Sequence, residues 1–105
     1  MLSNLKRLFQ NNNDKLANLL QAGAVIVDVR TKSEFEQGHF ARSQNIPLNE
    51  IDSKLALIRS WNKPVITVCR SGNRSAMAES ILQAAGIQVY NGGAWTSVRR
   101  AGNET

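Results

Sequence analysis

Val65-Ile66-Thr67-Val68-Cys69-Arg70-Ser71-Gly72-Asn73-Arg74-Ser75 decides how this 105-residue chain is read. Val65 to Val68 is a short apolar run rich in β-branched residues, the composition of a buried strand. From Ala76 onward the composition turns helical, so Cys69 to Arg74 must connect a strand to a helix. Such a connection has a defined physical use. Successive backbone N–H groups can curl into an anion-binding concavity, and the positive end of the following helix adds to their field. Gly72 lets the chain turn where a Cβ would obstruct it, and Asn73 is among the few other residues that tolerate positive φ. A cysteine opening that cradle ionises readily, because N–H dipoles and the arginines Arg70 and Arg74 favour its thiolate. Cys69 is therefore the candidate nucleophile.

Outward from this stretch, strands and helices alternate. Ala24 to Val29 is a second nearly continuous apolar run and predicts a central buried strand. Thr31 and Glu34 form a capping-box pair for a short helix ending near Gly38. A brief strand is expected around Gln44 to Ile46, stopped by Pro47. Asn49 is placed to cap a helix carrying Ile51, Leu55 and Ile58 on one face. Beyond the cysteine loop, Ala76, Met77, Ile81, Leu82 and Ala85 make the apolar stripe of a helix that Gly86 ends. Ile87 to Tyr90 predicts a further strand, Asn91-Gly92-Gly93 a turn, and Trp95 to Ala101 the last helix. Toward the N-terminus, Asn13 caps a helix running through Leu16, Leu19 and Leu20 to Gly23.

Residues 1–12 stand apart as an N-terminal extension. Leu2, Leu5, Leu8 and Phe9 fall there at helical spacing, a short amphipathic segment that can pack on the domain or lie on a membrane surface. Residues 13–105 then form one domain. Its alternation of elements predicts an α/β fold, a mostly parallel sheet of four to five strands with helices on both faces. In such sheets the site lies beyond the carboxyl ends of the strands. That rule brings Cys69, the pair Asp28 and Arg30, and Gly92-Gly93 to one rim.

Composition bounds the function. Hydrophobic residues at 42% and charged residues at 20% are ordinary for a globular protein. The net charge of +5 admits nucleic acid, an acidic protein or a small anion as partner. The basic residues are scattered, with no long run interleaved with aromatics, so nucleic acid is not expected. A single cysteine excludes an intramolecular disulfide or a CxxC pair, and a metal site would have only His39 to assist it. No stretch reads as a secretory signal or as a transmembrane span, so a cytoplasmic, reducing setting is expected.

These residues match a known pattern. Asp28-Val29-Arg30, Glu34-Phe35, Gly38-His39, Asn45-Ile46-Pro47, the run Cys69 to Ser75 and Asn91-Gly92-Gly93 together resemble the single-domain rhodaneses from about Ala24 to Ala101. The resemblance implies a sulfurtransferase that carries sulfane sulfur as a Cys69 persulfide, taking it from a small anionic donor such as thiosulfate. Cyanide, a thiol or a protein would accept it, and no metal or organic cofactor is implied. Arg70, Ser71, Gly72, Asn73, Arg74 and Ser75 would hold the substrate. A persulfide carrier that delivers sulfur to a partner protein, with little turnover of its own, is the alternative. Residues 1–12 have no counterpart in the family, and the tryptophan after the double glycine comes early, at Trp95.

Loop length separates this chemistry from its neighbours. Related phosphatases and arsenate reductases place five residues between cysteine and arginine, a wider cradle suited to a tetrahedral oxyanion. Here four residues separate Cys69 from Arg74, and the tighter loop suits the terminal sulfur of a persulfide. In the resembled family the Gly-His motif lies away from the site, so His39 is expected to be structural rather than half of a Cys-His dyad. Arg30 and Glu34 are expected to pair with one another. Asp28 supports the site by bracing loop N–H groups or caps only a local turn. Trp95 is expected near the pocket mouth.

Overall fold

The computed structural model describes residues 14–101, and of residues 99–101 the backbone only. The expected N-terminal segment over residues 1–12 lies outside the described residues. A helix over 14–21 (α1) leads to β1 (Val25–Asp28), the short α2 (Lys32–Glu36) and β2 (Ser43–Asn45). A 3₁₀ turn (Leu48–Lys54) runs into α3 (Leu55–Ser60), followed by β3 (Val65–Cys69), α4 (Asn73–Ala84), β4 (Val89–Ala94) and α5 (Trp95–Ala101).

The four strands lie in the order β2-β1-β3-β4, and every pair is parallel. Strands buried on both faces read as apolar runs, and each face takes alternate residues. Val27, Val29, Val65, Cys69 and Val89 face one way, onto Ile51 of the 3₁₀ turn, Ile58 of α3, and Ala78 and Leu82 of α4. Ile26, Ile66 and Val68 face the other way, onto Leu16 of α1, Phe40 and Val98 of α5. The chain winds from β1 to β2 in one direction and to β3 and β4 in the other. The winding reverses between the carboxyl ends of β1 and β3, where sheets of this kind bind ligands.

Four local expectations are corrected. The 49–58 segment begins as a 3₁₀ turn after Pro47, which offers no capping side chain. On α4 the buried face is Ser75, Ala78 and Leu82, while Met77 is exposed, because Thr67 and Cys69 of β3 draw Ser75 inward. The third is Asn91-Gly92-Gly93, which is not a turn. It continues β4, pairing alongside β3 with an irregularity at Thr67/Val68. Gly92 permits this by lacking a side chain: a Cβ there would meet Ile66 Cγ2 at 2.7 Å and Val98 Cγ2 at 2.8 Å. The brief strand is the fourth, displaced by one residue to Ser43–Asn45.

Candidate active site

The cysteine loop is held from three sides. Below it, Thr67 Oγ1 donates to the Ser75 carbonyl at 2.9 Å, tying the buried strand β3 to the first turn of α4. The loop turns at Gly72, whose φ of +107° is a conformation that side chains rarely adopt. Across it comes β4. Gly93 Cα lies 3.6 Å from where a Gly72 Cβ would stand, so the two glycines allow loop and strand to meet.

Cys69 sits at the end of β3 with 1% of its surface exposed. Gly72 N–H donates to Sγ at 2.9 Å, and Sγ lies 3.4 Å from Ser75 Oγ. Burial pushes the thiol pKa up, but hydrogen bonds from the Ser75 hydroxyl and from the N–H groups of Ser75, Gly72 and Ser71 outweigh it. The net result lies below the ordinary cysteine value. The arrangement is a thiol of lowered pKa ringed by N–H groups and a hydroxyl, seated at the N-terminus of a twelve-residue helix.

The arginines divide the work. Arg74 is committed: Nη1 donates to Glu34 Oε1 at 2.7 Å and Nη2 to Oε2 at 3.0 Å. Glu34 also accepts from the Thr31 N–H and hydroxyl, completing the expected capping box. The Arg74 guanidinium, helped by Thr31, lowers the Glu34 carboxyl to a pKa of about 2. The same contact raises the Arg74 pKa. One carboxylate thus starts α2 and braces the cysteine loop. Arg70 is exposed and makes no hydrogen bond or ion pair among the described residues.

The expected Arg30–Glu34 pair does not form. Arg30 instead pairs with Asp28, Nη2 to Oδ2 at 2.7 Å and Nε to Oδ1 at 2.9 Å, and its own N–H also donates to that carboxylate. A fully buried Asp28 takes the arginine two residues away because a desolvated carboxylate needs a charged hydrogen-bonding partner. Asp28 therefore caps the turn after β1, and no hydrogen bond runs from it to the cysteine loop. Asn45 locks the same turn, donating to the Asp28 and Arg30 carbonyls at 3.0 Å each.

Arg30 lies over the Trp95 ring, 4.9 Å from its centroid. These two, with Glu34, Gln37, Gly38 and Arg70, line an open hollow of about 330 Å³ beside the cysteine loop. Asn73 is exposed at the start of α4. His39 stays outside: Nδ1 donates to the Phe35 carbonyl at 2.7 Å and its ring stacks on Phe35. Sequence reasoning named Asn91 and Asn45 only as parts of motifs and missed their contacts, Asn91 reaching Ser75 and Gly72 and Asn45 the turn after β1, because an asparagine signals a turn before it signals a long-range contact.

A family model for the rhodanese-like domain matches residues 12–97. The chain belongs to that family. This rhodanese-like domain is 38% identical over 69 residues to the uncharacterized protein YqhL of Bacillus subtilis, covering 65% of this chain and 54% of the relative. It is 39% identical over 83 residues to the rhodanese domain-containing protein CG4456 of Drosophila melanogaster, covering 64% of this chain and 75% of that protein. Among solved structures, the human single-domain sulfurtransferase TSTD1 superposes with a TM-score of 0.63 at 27% identity, over 80% of this chain and 88% of that one. The parallel four-stranded α/β fold and membership in the rhodanese-like family are thus shared. Among the described residues, no helix of this rhodanese-like domain is long and apolar enough to cross a membrane.

Proposed function

We propose that this rhodanese-like domain moves sulfane sulfur through a persulfide on Cys69, from thiosulfate or a similar small anionic donor to a thiophilic acceptor. The observation that supports this most directly is the Gly72 N–H at 2.9 Å from Sγ, inside a loop with only four residues between Cys69 and Arg74. The Cys69 thiolate attacks the outer sulfur of thiosulfate, a new S–S bond forms, and sulfite leaves with the electron pair of the broken one. A cyanide, thiol or protein nucleophile then takes the outer sulfur, and Cys69 departs as thiolate. The N–H groups of Ser71, Gly72 and Ser75 stabilise negative charge at each stage, and they need not reorganise to do so.

Ser71, Gly72 and Asn73 act through the backbone of the loop, and Ser75 through its hydroxyl. Arg70 supplies a charge that no acidic neighbour among the described residues neutralises, fitting it to draw an anionic donor inward. Arg74 acts at one remove, by bracing the loop against Glu34. Asp28 and Trp95 shape the rim. Each step is complete without a metal or organic cofactor. A reducing compartment such as the cytoplasm suits a lone thiol that must survive between turnovers.

The test is thiosulfate:cyanide turnover by wild type and Cys69→Ser. A folded Cys69→Ser protein should show none, because an alkoxide cannot form a persulfide. Retained turnover would sink the proposal. The open 330 Å³ hollow favours a second reading, in which a larger acceptor docks and the protein acts as a sulfur carrier. Persulfide loading of Cys69 by a cysteine desulfurase, with negligible thiosulfate turnover, would decide for the carrier.

A further inference from the structure

The Ser75 hydroxyl has more partners within reach than it has protons. Its Oγ lies 2.6 Å from Asn91 Oδ1, 3.0 Å from the Gly72 carbonyl oxygen and 3.4 Å from Cys69 Sγ. A hydroxyl donates once. Which acceptor receives that proton decides whether Ser75 stabilises a thiol or a thiolate.

The backbone decides how Asn91 faces it. Gly93 N–H donates to Asn91 Oδ1 at 2.9 Å, and Asn91 Nδ2 donates to the Gly72 carbonyl at 3.3 Å. Turning the amide over would set its NH₂ against the Gly93 N–H. The amide oxygen therefore stays toward Ser75. The Gly72 carbonyl already accepts from Ala76 N–H at 3.0 Å and from Asn91, which occupies both its lone pairs. The shortest free acceptor for the Ser75 proton is Asn91 Oδ1. With the proton there, Ser75 turns a lone pair toward Cys69 and suits a neutral S–H.

We propose that Asn91 is a positioning residue that holds the Ser75 proton in reserve and releases it to Cys69 Sγ only when negative charge resides on that sulfur. This rests on the persulfide reading of Cys69. On ionisation, the Ser75 O–H rotates from Asn91 Oδ1 to Sγ, and Asn91 remains satisfied by Gly93 N–H. Once Cys69 carries the outer sulfur, the negative charge lies on that outer atom and no longer on Sγ, and the hydroxyl turns back. No covalent bond changes in this rotation. Ser75 is fully buried, so water does not supply a substitute proton.

The charged groups around this network are Arg74 with Glu34, Asp28 with Arg30, Arg70, and, behind β4, Glu79 and Lys15. None of them hydrogen-bonds Ser75 Oγ or the Asn91 side chain. Glu79 takes only the Asn91 backbone N–H, at 2.8 Å.

The experiment is the pH dependence of iodoacetamide alkylation, which reports Cys69 alone because it is the single cysteine. Asn91→Ala should lower the thiol pKa by about half a unit to one unit, the worth of one hydrogen bond no longer competing for the proton. Ser75→Ala should raise it. In the Ser75→Ala background, Asn91→Ala should change nothing further. An unchanged or raised pKa in Asn91→Ala, or an equal shift in both backgrounds, overturns the proposal. Where Asn91→Ala fails to fold, Asn91→Asp keeps an acceptor for Gly93 N–H and holds the serine proton harder. Its pKa rise must then exceed that in the Ser75→Ala background, where charge alone acts, and equal rises also overturn it. Alkylation needs no sulfur donor, so a protein without turnover can still pass this test, and an active one can fail it.

Discussion

Glu34→Gln isolates the charge that braces the cysteine loop. Glutamine at this position still accepts from the Thr31 N–H, so the capping box survives and only the ion pair with Arg74 is lost. Glu34 falls from its ordinary pKa of 4.5 to about 2 in the folded protein, which sets a ceiling of about 3.4 kcal/mol on the stability its charge contributes. The Glu34 and Arg74 side chains are 32% and 34% exposed, and Thr31 supplies part of the effect, so solvent screening brings the expected loss to about 1 kcal/mol. In urea that is a midpoint lower by roughly 0.5–1 M at pH 7. The pH dependence carries the sign. A carboxyl with a depressed folded pKa stabilises fully above its unfolded value of 4.5, and loses that contribution as pH falls toward 2. Urea titrations at pH 7, 5.5, 4 and 3 should therefore show wild type ahead at the two higher values and the curves converging below. Equal midpoints at pH 7, or a gap that stays constant down to pH 3, would refute the reasoning.

The two glycines of β4 should respond for different reasons in thermal melts. Gly92→Ala drives a Cβ into Ile66 and Val98 and should cost about 1–3 kcal/mol, whereas Gly93→Ala meets open space and costs about 1 kcal/mol for its φ of +75°. Gly93→Asn should recover part of that loss and Gly92→Asn none; a Gly92→Ala protein as stable as wild type would contradict the packing. Inserting one glycine between Asn73 and Arg74 widens the cradle and carries Arg74 away from Glu34. Sulfur transfer should fall, while phosphate or arsenate should protect Cys69 from alkylation better than in wild type. Undiminished transfer without a gain in oxyanion affinity would show that loop length does not select the chemistry.

What the sequence by itself determined is what a few neighbouring residues decide. The apolar runs at β1 and β3 could only be buried strands, the Thr31–Glu34 capping box closed as expected, and the loop from Cys69 to Arg74 turned at Gly72 into the start of a helix. Those signals act within a turn or a strand, so periodicity and capping carry them whole. Met77 shows where periodicity stops, since the pattern alone could not tell which stripe of α4 the sheet would draw inward. The tertiary structure decided the partners. Glu34 meets Arg74 across 40 residues, and Arg30 turns back to Asp28 instead, because the carboxyl ends of β1 and β3 lie side by side. Asn91-Gly92-Gly93 has the composition of a turn, yet the space beneath Ile66 and Val98 admits only a bare backbone, and that keeps it in the sheet. Charges and amides find acceptors by proximity after folding, and proximity between distant segments is a property of the packed sheet rather than of any one stretch.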